Sequence, residues 1–495
     1  MIQQNHFLKV IIFVTSLFFF FSSVSFHQAF CQGKEIQAYV FNHHALLLLT
    51  LPNGETNEMV KLQDNEFITT LEFSPNQDEF CMITGSKKYE STHLYLVNVR
   101  TMEKKLILKI ESDSWIARPF WSPDSKKLVV LVGYKEIESA DFTHYEHYWL
   151  KQYDLTTDQL VDIVKVNEPV NSISWSMDSS YLAFNGKEEN VFSLYILDIG
   201  QNKLSKPQQN LFSDWVFKNL NFWSLQGDIL FLVNGTTLSS YDAKNKRYQQ
   251  IKDLHKQIIT QQWNHNLNQV ALLTKEGEET ILETLNFDNG SMNVIEKGFQ
   301  IDSPRFSLDG EKVSYFLKRK DQPYSTIIVF DTVHNKLITT GDAGLISIYP
   351  WDVDPTYSVW SNRSDSLIYV TNKENQNQFL SRLSLVDQQL TSVSSAWEYI
   401  YQYGYSRADD WIYVSGTRSE KEFIEFISNE NLSQKIERQD MKFCEWKLDG
   451  DKDGAGHLDS KNTSNKNLSI LLIAALGVFF LVLLIFLLSR RNRKS

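Results

Sequence analysis

Cysteine is nearly absent: three in 495 residues, too few for a disulfide framework, so a folded core has to hold the chain together. Lysine and arginine, at 49, are outnumbered by 60 aspartates and glutamates, for a net charge of −11. That balance offers no basic face and excludes nucleic acid as a partner. Common catalytic signatures are missing as well. There is no G-x-S-x-G elbow, and no spare stretch to house an α/β-hydrolase beside the rest of the chain. H-E-x-x-H, C-x-x-C, Walker and G-x-G-x-x-G patterns are also absent. The expectation is therefore no catalytic residue set and no obligatory cofactor. What is present looks globular: 42% hydrophobic and 22% charged residues. Aromatics reach 13%, with 32 Phe, 21 Tyr and 12 Trp, which leans towards β-structure.

The two ends carry long apolar runs. Residues 1–31 read as a secretory signal: Lys9 is the positive flank, Val10 to Phe21 the apolar core, and Ala29-Phe30-Cys31 a small-residue cleavage site. Leu468 to Leu488 holds no formal charge, and at about 1.5 Å per residue it spans roughly the 30 Å of a bilayer core. Arg490, Arg491, Arg493 and Lys494 follow, so the positive-inside rule leaves residues 489–495 as a basic cytoplasmic tail. The expected partner of 468–488 is the membrane. The expected location is the cell membrane, single-pass, with everything from residue 32 to 467 outside the cytoplasm.

Between the ends the chain repeats itself. An aromatic residue, mostly followed by serine and a turn, recurs at Phe73, Trp121, Trp175, Trp223, Trp263, Phe306 and Trp360, and more weakly at Tyr405 and Trp446. The steps run from 40 to 54 residues, centred in the range of four-stranded propeller blades. Each copy precedes an apolar, β-branched-rich run such as Leu128 to Val132. A third strand follows, then a polar turn such as Asp154 to Asp158 or Asp331 to Asn335, then a fourth strand. No αβ alternation appears, which removes parallel α/β architectures. Bulky rings at one fixed place per repeat read as wedges between blades rather than a ligand cage.

The copies WSPDSKKLVVLV at Trp121 and FSLDGEKVSYF at Phe306 resemble the repeat of TolB-like β-propellers, a pattern similar to WD repeats, and the likeness covers about residues 36–450. The resemblance implies a fold and leaves function open, since such repeats serve binding scaffolds and enzyme accessory domains alike. The fold expected is all-β: one large propeller over residues 32–450 with eight or nine four-stranded blades, a polar stalk at 451–467, and one C-terminal transmembrane helix. Ile36 to Phe41, Ala45 to Leu51 and Glu58 to Leu62 look like strands B, C and D without a strand A, while Met441 to Trp446 looks like a lone strand A. Joining them closes the ring and removes two exposed edges.

Two long connections interrupt the repeat: Gly133 to Glu146, between strands B and C, and Gly341 to Tyr357, between two copies. Both should open on the face of the D–A and B–C connections. They supply the candidate ligand-binding residues: Tyr134, Glu136, Asp141 and Tyr145, with Tyr349, Trp351, Asp352 and Asp354. In the stalk, Asp449, Asp451 and Asp453 have the spacing of the first half of an EF-hand-type loop, making Ca2+ a possible ligand. The usual bidentate glutamate is Ser460, and the run also reads as a solvated acidic linker. Cys81 and Cys444 are placed either for a staple across the ring closure or as buried apolar residues. Asn234, Asn289, Asn362, Asn431 and Asn462 begin N-x-S/T sequons. The expectation is a membrane-anchored, non-catalytic scaffold binding a protein or glycan. The alternatives are a lyase or hydrolase working at the central channel, and an accessory subunit of a membrane complex.

Overall fold

The structure, a computed structural model, describes residues 36–447 except 64, 87–90, 112–113, 118, 135–146, 167–170, 189–190, 208–220, 225, 265–267, 288, 323, 345–357 and 373–376. Among the described residues the regular structure is entirely β-strand, grouped into nine blades. Of the expected eight or nine, nine is the count, because the weak copies at Tyr405 and Trp446 each contribute a strand A, as the copy at Trp263 does. The second blade shows the pattern: Glu66–Phe73, Glu79–Ser86, Ser91–Asn98 and Lys104–Glu111 pair antiparallel as strands A to D. Strand B is buried on both faces, since blades pack on either side of it, while strand D is mostly exposed. A run of apolar residues therefore marks B, and lysine-rich alternation marks D.

The first blade is assembled from both ends of the ring. Lys442–Trp446 is its strand A, paired with Ile36–Phe41, which continues into Ala45–Leu51 and Glu55–Lys61. The closure read from the repeat register is the one observed. The seventh and eighth blades are also joined, by a parallel bridge from Gly344 to Asn372.

The core lies between blades. Cys81, Ile83 and Leu94 of the second blade meet Trp121, Leu128, Val130 and Val132 of the third, each large side chain contributing about 1.5–3 kcal/mol. The aromatic wedge also bonds. The Trp121 indole donates to the Glu72 carbonyl of the preceding blade at 3.1 Å. Trp175, Trp223 and Trp360 do the same to Phe120, Ser174 and Arg305.

The serine after the aromatic closes the A–B turn: Ser122 Oγ accepts the Lys127 amide at 2.9 Å and donates to Asp124 at 2.7 Å. Three residues after that serine, at Gln77, Ser125, Ser179, Gly227, Gly310, Ser364 and Asp409, the backbone is left-handed. Where that residue has an oxygen, it holds the previous blade. Ser125 Oγ accepts the Asn76 amide at 3.1 Å, and Ser179 Oγ the Asp124 amide at 3.0 Å. Ser364 Oγ accepts the Asp309 amide at 3.1 Å, and Asp409 accepts both Asn362 and Arg363 amides. The A–B turns are thus hydrogen-bonded from blade to blade between the second and fourth and between the seventh and ninth.

The staple between Cys81 and Cys444 is not formed; neither is in a disulfide. Cys81 packs towards the third blade and Cys444 towards the first–second interface, so they sit on opposite sides of the second blade. Residues 1–31, the stalk 451–467, the span 468–488 and the tail 489–495 lie outside the described residues. Among the described residues no helix is long and apolar enough to cross a membrane.

Candidate functional site

Strand register fixes which connections share a face. In the third blade Ser114 pairs with Tyr134, Tyr134 with His147 and Tyr148 with Val166. The start of A, the end of B, the start of C and the end of D therefore lie at one edge. Residues 135–146 leave from this edge, and so do residues 345–357, which follow Gly344 at the end of a strand D. A third long connection on the same face, between Lys203–Ser205 and Asn221–Trp223, escaped sequence reasoning. It was hidden because the fourth strand D is only three residues long and left no apolar run to mark where the blade ends. Connections of this length inside a compact domain are uncommon, and are either functional loops or linker segments.

Of the sequence-predicted contact residues, Tyr134 is described. It ends strand B of the third blade and stacks on His147 with ring centroids 5.6 Å apart and planes 18° from parallel. Glu136, Asp141 and Tyr145, and Tyr349, Trp351, Asp352 and Asp354, lie outside the described residues, as do Asp449, Asp451 and Asp453. The face has further apolar groups that sequence pattern did not flag. Trp115 is 42% exposed beside Gly133, and Ile259 and Phe299 stand exposed where the sixth and seventh A strands begin. Exposed aromatics and aliphatics over a rigid sheet are what a partner can bury. His43 and His44 form the exposed tip of the first B–C hairpin, capped by Asn42. Among the described residues no cluster of His, Cys, Asp or Glu is arranged to hold a metal ion.

The A strands of neighbouring blades touch one another and so form the inner wall. The residue before each aromatic turns away from the wedge, and successive ones meet: Arg305 Nη1 donates to Gln262 Oε1 across the sixth and seventh blades. At the ring closure the same position holds Glu445 and Glu72. Burial pushes the Glu445 carboxyl up; the Trp446 amide and the Arg407 guanidinium pull it back, and the Glu72 charge adds to the rise. The inner wall is therefore acidic at the first and second blades and basic at the seventh. The signal in sequence is the residue preceding each aromatic, a position the repeat pattern treats as variable.

No protein-family model matches the chain, and no curated protein matches it. Among solved structures, a eukaryotic initiation factor superposes with a TM-score of 0.57 at 14% identity, over 83% of this chain and 98% of that one. A dipeptidyl peptidase 4 from Porphyromonas gingivalis gives 0.51 at 12% identity, over 77% of this chain; the match spans 60% of that peptidase. TolB from Acinetobacter baumannii gives 0.32 at 15% identity over 66% of this chain and 79% of that one, a superposition too loose to add to the first two. At these identities the likeness is one of fold.

Proposed function

We propose that this chain is an extracytoplasmic nine-bladed propeller, tethered through residues 468–488, that binds a protein or glycan partner without catalysing a reaction. The observation that carries the reading is the asymmetry of the ring. Three long connections leave one face, while the other face is spent on short turns bonded blade to blade. Loops on a rigid scaffold can vary in sequence without disturbing the fold, which is what recognition asks for. Trp115, Tyr134 and the residues of 135–146 and 345–357 are the contacts expected to matter most.

The test is a panel of cells displaying the full chain, probed with candidate surface proteins and a glycan array. Variants carry 135–146, 206–220 or 345–357 shortened to a Gly-Ser link. Loss of binding on shortening, with folding intact by thermal unfolding, supports the reading; a partner indifferent to all three deletions sinks it. The second reading is an enzyme on the inner wall, a lyase or hydrolase, and the raised carboxyl of Glu445 beside Glu72 is what favours it. Turnover of an oligosaccharide or peptide library that Glu445→Gln abolishes and loop shortening spares would move the assignment there.

A further inference from the structure

We propose that Asn289 and Asn431 are N-glycan acceptors of the propeller and that Asn362, although its sequon is intact, is instead a latch between two blades. The proposal rests on the reading that the propeller lies outside the cytoplasm. In the transfer reaction the asparagine Nδ2 attacks the anomeric carbon of an oligosaccharide carried on a lipid pyrophosphate. The N–C bond forms as the C–O bond to pyrophosphate breaks, the electron pair leaves with the pyrophosphate, and one amide proton passes to a base of the transferase. The acceptor must therefore expose Nδ2 and have a hydrogen to give up.

Asn289 and Asn431 meet both requirements. Each is exposed in a C–D turn, between Glu279–Asn286 and Met292–Gly298 and between Lys421–Ser428 and Lys435–Gln439. Their Oδ1 atoms accept the Ser291 amide at 2.9 Å and the Ser433 amide at 3.2 Å, respectively. That orients the side chain and leaves Nδ2 without an acceptor among the described residues. Asn362 is also exposed as a residue, but it differs in its place and in the engagement of its Nδ2. It lies in the A–B turn of the eighth blade, and both of its Nδ2 hydrogens are engaged with the ninth: Ser406 O at 2.9 Å and Asp409 Oδ1 at 2.8 Å. Its own amide and that of Arg363 also reach Asp409. A glycosylated amide keeps a single N–H, so a sugar here breaks one inter-blade bond and has to fit between two turns. A chain modified at Asn362 before folding cannot close this seam, and folded molecules carry no glycan there.

The experiment expresses the full chain in a eukaryotic secretory cell, once with its own first 31 residues and once with an established heterologous leader. Protease-resistant, folded protein is treated with peptide N-glycosidase in heavy-oxygen water and mapped by mass spectrometry. With the heterologous leader, heavy aspartate is expected at 289 and 431 and unmodified asparagine at 362. Asn289→Gln and Asn431→Gln each remove one step of the gel shift, and Asn362→Gln removes none. Bare asparagine at both 289 and 431, or a glycan on Asn362 in folded protein, overturns the proposal. Glycans with the heterologous leader and none with the native one uphold the acceptor assignment and overturn the extracytoplasmic reading alone.

Discussion

Two residue positions carry most of the local chemistry of this ring. The last residue of strand C is Asn98, Asp154, Asp198, Asp242, Asn286 or Asp331 in successive blades, and its side chain accepts amides of the following turn. Asp154 shows the electrostatic side. Burial opposes its charge, but bonds from Thr156, Lys127 and Thr157 prevail and pull its carboxyl down to about 2. A depressed pKa contributes stability that is complete above about pH 4, the unfolded value, and fades as pH falls towards 2. Asp154→Asn keeps the cap, as Asn98 does, and loses the Lys127 pair. We expect a loss of at most about 1 kcal/mol at neutral pH and a shallower fall in stability between pH 4 and 2, read by urea melts at both ends. The left-handed turn residue is the second position. Ser125→Ala removes the acceptor for Asn76 and keeps a Cβ at φ 61°, at a cost of roughly 1–3 kcal/mol. Ser125→Gly loses the same bond but relieves the strain, so it should unfold later than the alanine variant; the reverse order would mean that the left-handed backbone stores no strain there.

At the scale of the strand and turn, the aromatic is both wedge and donor, and the two roles separate experimentally. Trp121→Phe leaves a ring in the inter-blade cluster and loses the bond to Glu72, for about 1 kcal/mol. Trp121→Ala also empties the wedge, for roughly 3–5 kcal/mol. Chemical denaturation midpoints that fail to separate the pair would leave the packed ring without weight and assign the whole loss to the indole bond. Glycine at two of the turns has a reason beyond φ: a Cβ at Gly227 would meet Asp178 Oδ1 at 2.5 Å, and one at Gly310 would meet Asn264 Oδ1 at 2.4 Å, so either side chain would have to move. Much of this element scale was legible in sequence. The aromatic, the serine and the apolar strand B are local signals of a strand–turn–strand unit, and they placed nine A–B pairs and the closure. Illegible were interactions set by the neighbouring blade: the serine or aspartate in a glycine-like position that bonds backwards, and the channel carboxylates one residue before the aromatic. These depend on a repeat some 50 residues away in the chain, which no local pattern encodes. The third long connection was missed because a three-residue strand D leaves almost no periodicity to read.

On the scale of the whole molecule, each blade buries its faces against its neighbours, so ring closure decides whether the stack is stable or merely long. The seam is the first blade, where a strand from the end of the propeller completes a sheet made from its beginning. Phe443 and Trp446 pack with Ala38, Val40, Leu49 and Leu51 on one side and with Trp411, Tyr413, Ile424 and Phe426 of the ninth blade on the other. Phe443 stacks on Tyr413 at a centroid distance of 3.8 Å. Gln77 of the second blade donates to the Trp446 carbonyl at 2.8 Å, and Lys447 bonds Gln37 through both its amide and its ammonium. Removing the strand would expose the open edge of Ile36–Phe41 and the flank of the ninth blade together. Emptying the places of two buried aromatics alone costs roughly 6–10 kcal/mol, which rivals the ~5–15 kcal/mol by which an ordinary domain is stable. A chain ending after Lys447 should therefore unfold cooperatively as a monomer. One ending after Asp440, seven residues shorter, should lose that transition, expose the amides of Ile36–Phe41 to hydrogen exchange and associate through the open edge. Size-exclusion and exchange measurements on the pair decide it: equal protection of Ala38 to Val40 in both would show that the ring does not depend on its closing strand.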